Sequence, residues 1–273
     1  MAKSLIWAIS TLFFGLLPLW FVLFNDNLQN KNQIFLFEQF ITTTSGVLLF
    51  FVTAIVASIT IEYFLLSKAN QKISKGWVFP MVLIIFCAWL YEKTMEDINL
   101  ENLFTIEINV LLIVFFYAID IKFFAFKIIS LQKFSTTSNA SQWLVFLKTS
   151  WKSVIWAIMT YFFGLLPFWL VYLFMPSNSF NFAKFVIDGP LLLFATTLVS
   201  SITIEYLLSI KTTKWYEVFL FVIFPFLILI YCVALFYIPD GKEIDIELLY
   251  STQQGILIVT FIYSIVVKYH AFK

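Results

Sequence analysis

The chain has 273 residues, of which 62% are hydrophobic and only 12% are charged. Soluble globular domains carry a charge on roughly a quarter of their residues, so this composition excludes that class and predicts a polytopic membrane protein. The formal net charge of +1 conceals an uneven distribution of lysines and acidic residues along the chain, and that distribution predicts an orientation in the membrane.

The first predicted membrane helix is Leu5–Phe24, whose 20 residues would extend about 30 Å, the thickness of the hydrocarbon core. The same stretch occurs twice, because Lys3–Trp20 and Lys152–Trp169 agree at 14 of 18 positions. A cleaved signal peptide would not recur in the middle of a chain, and this apolar run is longer than the usual signal peptide core. We therefore expect both copies to be retained as helices of an internal repeat.

Three further helices are predicted in the first half of the chain. The apolar stretch Ile34–Leu66 is too long for one span, so we divide it into an interfacial segment, Ile34–Phe40, and a helix, Ser45–Leu66. The third helix is Trp77–Tyr91. The fourth has an uninterrupted apolar core of only 12 residues, Ile108–Ile119, and we expect other helices to cover it.

The second half of the chain repeats this order. Gly46–Tyr63 matches Gly189–Tyr206 at an offset of 143 residues. Later matches are Pro80 with Pro225, Cys87 with Cys232, Tyr117 with Tyr263 and Lys122 with Lys268. We therefore predict an all-α protein of eight transmembrane helices, arranged as two tandem parallel four-helix repeats. The predicted division is a first repeat at 1–134, a polar cytoplasmic linker at 135–150 and a second repeat at 151–273.

Loop charges predict the orientation of these helices. Four spans per repeat is an even number, so both repeats enter the membrane from the same side. Two outer loops, Glu92–Asn102 and Asp240–Glu247, each contain four acidic residues and one lysine, a net charge of −3. The lysine-rich segments fall on the other side, at Lys3, Lys68–Lys75, Lys127–Lys152, Lys211–Lys214 and Lys268–Lys273. The positive-inside rule then places both termini in the cytoplasm, for a bacterial inner membrane, or in the matrix, for an organellar inner membrane.

Two glutamates in the repeated SITIEY sequence, Glu62 and Glu205, are the main candidates for function. An acid within a span is costly unless it is paired or hydrated, so we hypothesise that the two polar faces meet and line a pathway. The alternative is that each glutamate pairs with a lysine at the same depth and locks helices together. The pathway residues would be Glu62, Glu205, Ser58, Ser201, Thr53, Thr196, Thr60 and Thr203, and the candidate ion-pair partners are Lys122 and Lys268.

The repeated FFGLLP sequence predicts a kink in the first helix of each repeat. The kink residues are Gly15 and Pro18 in the first copy and Gly164 and Pro167 in the second. Proline removes a helical hydrogen bond and glycine relaxes the backbone one turn earlier. Such a break either marks a binding site, as in carriers, or allows close packing of another helix. The tryptophans near predicted boundaries, namely Trp7, Trp20, Trp77, Trp89, Trp156 and Trp169, are expected to be interface anchors.

No nucleophile, metal-ligand or cofactor motif occurs in the sequence, so we expect no enzymatic activity, no cofactor and no metal. The favoured function is transport or pore formation, with the acidic outer loops selecting small cations. The alternative is a structural or assembly subunit of a larger membrane complex. The expected partners are the lipid bilayer and, according to the function, small cations, other membrane subunits or further copies of this chain, but not nucleic acid.

Overall fold

The computed structural model describes residues 1–22, 46–66, 78–94, 100–135, 142–174, 182–209, 214–236 and 245–272. Within these ranges the protein is all-α, with no strand. The helices, numbered in chain order, are α1 (Ala2–Gly15), α2 (Val47–Leu66), α3 (Val78–Thr94), α4 (Leu100–Ser135), α5 (Gln142–Gly164), α6 (Leu166–Phe174), α7 (Phe182–Asp188), α8 (Pro190–Ser209), α9 (Trp215–Val218), α10 (Phe224–Phe236) and α11 (Ile246–Phe272), with a π-helical turn at Phe219–Ile223 between α9 and α10.

Five stretches of the described chain are long and apolar enough to cross a membrane. They are Val47–Leu66, Asn102–Phe126, Phe185–Ser209, Trp215–Phe236 and Ile246–Phe272. A sixth results if α5 and α6 are counted as one broken span, bent by 51°. The first helix, α1, ends at Gly15 and is shorter, and α3 has 17 residues. These helices support the prediction of a membrane protein.

Two central helices, α2 and α8, form the core of the bundle. In each, 83% of the most apolar part is buried, as expected for a helix enclosed by other helices. Helices α1, α4, α5 and α11 pack around this pair. Their outer faces carry large exposed apolar side chains, among them Phe13, Phe116, Phe162 and Ile258, which suit contact with lipid.

The first helix of each half of the chain packs against the central helix of the other half. Helix α1 lies against α8, and α5 lies against α2. Each glycine lies in this contact, because a Cβ atom on Gly15 would lie 3.1 Å from Ser200 Oγ on α8 and one on Gly164 would lie 3.5 Å from the Cα of Ala54 on α2. The same atoms would lie 2.6 Å from the ring of Phe51 on α2 and 2.5 Å from that of Phe194 on α8, so each glycine also lets its helix approach the central helix of its own half. The small residues of FFGLLP therefore act in helix packing.

Helix α4, which contains the fourth predicted span, differs from the prediction. Only 28% of the most apolar part of α4 is buried, so the prediction that other helices cover it was wrong. The helix is also much longer than its apolar core suggested. Its charged residues Glu107 and Lys122 are buried, toward Gly46 and α2, while Leu112, Ile113 and Phe116 face outward. Because these two charged side chains lie inside the bundle, they do not interrupt the apolar outer face formed by those residues.

Several predicted segments lie outside the described residues. These are the interfacial segment Ile34–Phe40, the lysines of Lys68–Lys75, Trp77, Lys211, and the acidic loop residues Glu96, Asp97, Asp240 and Glu243. Of the predicted linker at 135–150, residues 136–141 are outside the described chain, and α5 already begins at Gln142. The second part of that linker is therefore helical.

Candidate functional site

The glutamates of α2 and α8 meet the two candidate lysines in one cluster, here called the charge cluster, which consists of Glu62, Glu205, Lys122 and Lys268. Lys122 Nζ donates to Glu62 Oε2 at 2.6 Å and also to Glu205 Oε2. Lys268 Nζ donates to Glu62 Oε2 at 2.6 Å and to the two Glu205 oxygens at 2.7 and 2.8 Å. All four side chains are at most 3% exposed. Each lysine thus bridges both glutamates, and the formal charges sum to zero.

Two tryptophans cover the charge cluster. Lys122 Nζ lies 4.9 Å from the ring centre of Trp7, and Lys268 Nζ lies 4.8 Å from that of Trp156. Both distances are within the range of cation–π attraction, which is strongest when water is excluded. Both tryptophan side chains are fully buried, so the prediction that Trp7 and Trp156 are interface anchors was wrong. Both lie within a few residues of a lysine, Lys3 or Lys152, and a nearby charge usually marks the membrane interface.

The indole nitrogens fix these rings across the two halves of the chain. Trp7 Nε1 donates to the carbonyl of Ser201 at 3.0 Å, and Trp156 Nε1 donates to the carbonyl of Ser58 at 3.1 Å. The serine backbone therefore holds the rings over the lysines. The hydroxyls of Ser58 and Ser201 are buried and have no hydrogen-bond partner among the described residues.

The threonines of the predicted pathway form hydrogen bonds between helices. Thr60 pairs with Tyr117 at 3.0 Å, and the matching Thr203 pairs with Tyr263 at 2.8 Å. Nearer the middle of the bundle, Thr53 donates to the carbonyl of Gly164 and Thr196 donates to that of Gly15, both at 2.8 Å. In this conformation these four hydroxyls serve contacts within the protein.

The FFGLLP kinks lie at the second pair of threonine contacts. Helix α1 stops at Gly15 and helical structure resumes at 17–22, while α5 stops at Gly164 and α6 begins at Leu166. Each glycine carbonyl at the break accepts a threonine hydroxyl from the other half of the chain. The kinks of Gly15/Pro18 and Gly164/Pro167 thus provide acceptors for helix–helix bonding, which agrees with the packing interpretation.

Little space surrounds the charge cluster. A cavity beside Trp7, between α1, α2 and α4, measures about 10 Å³ and is lined mainly by apolar side chains. That volume holds at most one water molecule, and an apolar wall gives such a molecule few partners. The four side chains of the charge cluster are themselves at most 3% exposed, so protein atoms enclose them.

A second polar layer, which sequence reasoning missed, lies toward the opposite end of the bundle. Glu107 Oε1 accepts the backbone amide of Gly46 at 2.7 Å, and Gly46 has a positive φ of 83°. Gln253, at the matching place of the second half, donates through Nε2 to the carbonyl of Val186 at 2.8 Å. The signal was present in the sequence, because 107 and 253 have the same offset of 146 as the two cluster lysines.

The two polar layers are separated along the central helix. From Gly46 to Glu62 is 16 residues, or about 24 Å of α-helix. The charge cluster lies at the end of the bundle that holds the amino terminus, since Lys3 Nζ donates to the carbonyl of Leu208 at 3.0 Å.

Comparison of the chain with known protein families, with curated proteins and with solved structures found no match.

Proposed function

We propose that the protein is a non-enzymatic transport protein, built from eight membrane helices in two tandem parallel repeats. Supporting this architecture, the contacts between the halves occur in matched pairs. Thr53 bonds to Gly164 as Thr196 bonds to Gly15, and Trp7 bonds to α8 as Trp156 bonds to α2. A rotation by half a turn about one axis would exchange the members of each pair, as expected for parallel repeats.

The charge cluster is the closed gate between the two repeats in this proposal. The observation that carries it is that each lysine contacts a glutamate of the other repeat: Lys122 contacts Glu205, and Lys268 contacts Glu62. Burying an ion pair costs about as much free energy as it returns, so four charges are a poor means of holding a fixed bundle together. They suit a contact that opens, because separated repeats would expose the charges to water while closed repeats neutralise them.

Small cations are the proposed solute, and the gate is proposed to face the cytoplasm or the organellar matrix. The acidic outer loops would attract cations, and Glu62 and Glu205 would receive them when the lysines move away. The contact of Lys3 with Leu208 supports placing the amino terminus at the gated end. The lysines of the loops then orient that end toward the cytoplasm or matrix by the positive-inside rule.

Cation flux into liposomes tests this proposal. Purified protein would be reconstituted with dyes for Na⁺, K⁺ and protons, and wild-type flux should exceed that of protein-free liposomes. Glu62→Gln combined with Glu205→Gln should change the flux severalfold. Asp120→Asn is the matched control, because Asp120 is exposed on α4 only two residues from Lys122. Wild-type flux equal to the background, or a double variant equal to wild type, would reject the proposal.

A structural or assembly subunit of a larger membrane complex is the second candidate. The observation that favours it is that the threonines of the predicted pathway are occupied by contacts within the protein, and that the side chains of the charge cluster are at most 3% exposed. Purification from native membranes in mild detergent, followed by native mass spectrometry, separates the two candidates. A stoichiometric set of other proteins supports the subunit, and a particle made only of this chain rejects it.

A further inference from the structure

Glu107 is a buried acid without a cationic partner among the described residues. Its side chain is fully buried on α4, and Oε1 accepts one hydrogen bond, from the amide of Gly46. Its other oxygen, Oε2, is buried and has no partner within the described chain. This environment contrasts with that of Glu62, whose carboxylate contacts two lysines at 2.6 Å. An isolated carboxylate buried in this way is far more costly than a neutral carboxylic acid.

The matching position in the second half of the chain carries the neutral amide of Gln253. It is also buried and hydrogen-bonded to one backbone group, the carbonyl of Val186, with its Oε1 unpartnered among the described residues. A glutamine and a protonated glutamate have the same shape, and each has one acceptor oxygen and a hydrogen-bond donor. At the position that matches Glu107, the second half of the chain therefore holds an uncharged group of this shape.

Other titratable groups near Glu107 would not favour its ionisation. On α3, Cys87 lies within electrostatic reach of the Glu107 carboxyl, and Tyr91 packs against Gly46. Asp188, at the end of α7, interacts electrostatically with Tyr91. Glu92 and Lys93 are half-exposed at the end of α3. The nearest of these groups are neutral or acidic, so none would stabilise a carboxylate as the cluster lysines do.

We propose that Glu107 is a proton-binding site, which holds its proton at neutral pH and releases it when the surrounding helices admit water. The proton resides on Oε2, because Oε1 accepts the amide of Gly46 and needs its lone pair there. This assignment concerns the end of the bundle opposite the charge cluster. It does not depend on the transport proposal, because it rests on the local environment of Glu107 alone.

Infrared spectroscopy of the purified protein in detergent tests this site directly. A protonated carboxylic acid has a carbonyl stretch that a carboxylate lacks. At neutral pH, Glu107→Gln should remove one such band per chain, and the fold should be preserved because the glutamine amide oxygen can accept the Gly46 amide as Glu107 Oε1 does. The reverse substitution, Gln253→Glu, should add one band. Asp120→Asn is the control for removing a carboxyl group from the same helix, 13 residues from Glu107, and should leave the Glu107 band in place.

The outcomes are distinct. Loss of one band in Glu107→Gln supports the site. An unchanged spectrum in that variant would show that Glu107 is ionised and would overturn the proposal. If Glu107→Gln does not fold, Glu107→Asp provides the second measurement, because an aspartic acid in the same place should shift the band. Absence of any acid band in folded wild-type protein would also overturn it. None of these results depends on whether the protein transports cations.

Discussion

Removing one carboxylate from the charge cluster should destabilise the protein severely. Glu62 Oε2 accepts hydrogen bonds from Lys122 and Lys268, both at 2.6 Å. After Glu62→Gln, two ammonium groups would share the single carboxylate of Glu205, which leaves one uncompensated positive charge in a site that is at most 3% exposed. Breaking a buried ion pair in this way costs about 3 to 5 kcal/mol. We expect the free energy of unfolding to fall by that amount.

A variant in which the charge cluster is again neutral separates the cost of an unpaired charge from the cost of losing side-chain contacts. Glu62→Gln combined with Lys122→Gln leaves one glutamate and one lysine, Glu205 and Lys268, which contact each other at 2.7 Å. This double variant should lose less stability than the sum of its two single variants, with a coupling energy of about 0.5 to 3 kcal/mol. The double variant should lose less because an unpaired buried charge costs more free energy than the absence of a whole ion pair.

The assay is reversible unfolding in mixed micelles, followed by tryptophan fluorescence, with Asp120→Asn as the control. Trp7 and Trp156 lie over the cluster lysines, so their emission reports on this site. A loss below about 1 kcal/mol for Glu62→Gln would match an exposed salt bridge and not a buried one. That result would refute the packing of the charge cluster described above.

Three further substitutions test contacts between helices by thermal unfolding in detergent. Gly164→Ala should destabilise, since its Cβ would lie 2.5 Å from the ring of Phe194 on α8, whereas Gly255→Ala, with open space around it, should not. Equal effects of the two substitutions would contradict the close packing of α5 against α8 at Gly164. Trp7→Phe keeps an aromatic ring but loses the indole hydrogen bond, and should cost about 1 kcal/mol. Thr196→Val removes one interhelical hydrogen bond and should cost about 0.6 kcal/mol, and a stabilised variant would show that this bond is not formed.

The sequence predicted which residues meet but not how they share contacts. Because Glu62 and Glu205 occupy matching places, as do Lys122 and Lys268, the repeat indicated ion pairing at one depth. Spacing along a helix fixes the face on which a residue lies, but not which helix lies opposite. Each lysine reaches both glutamates because α2 and α8 lie side by side, and no local pattern encodes that packing.

Two errors have the same physical origin. A membrane boundary placed at the nearest charged residue assumes that charge faces water. In α4 the charged Lys122 is fully buried in the charge cluster, so the helix continues past the predicted end of its apolar core. Trp7 is buried beside the same lysine, although it lies close to Lys3 in the sequence. Where charges pair inside a bundle, they no longer mark its edges.

The crossed packing has a consequence for the synthesis of the protein. The bond from Trp7 to Ser201 joins residues 194 positions apart, and Lys268 is 206 positions beyond Glu62. At roughly 5 to 20 residues per second, the ribosome needs about 10 to 40 s to make that length of chain. During this interval the emerging first half has neither the helix that covers its tryptophan nor its second lysine. The contacts that join the two halves can therefore form only after most of the chain has been made.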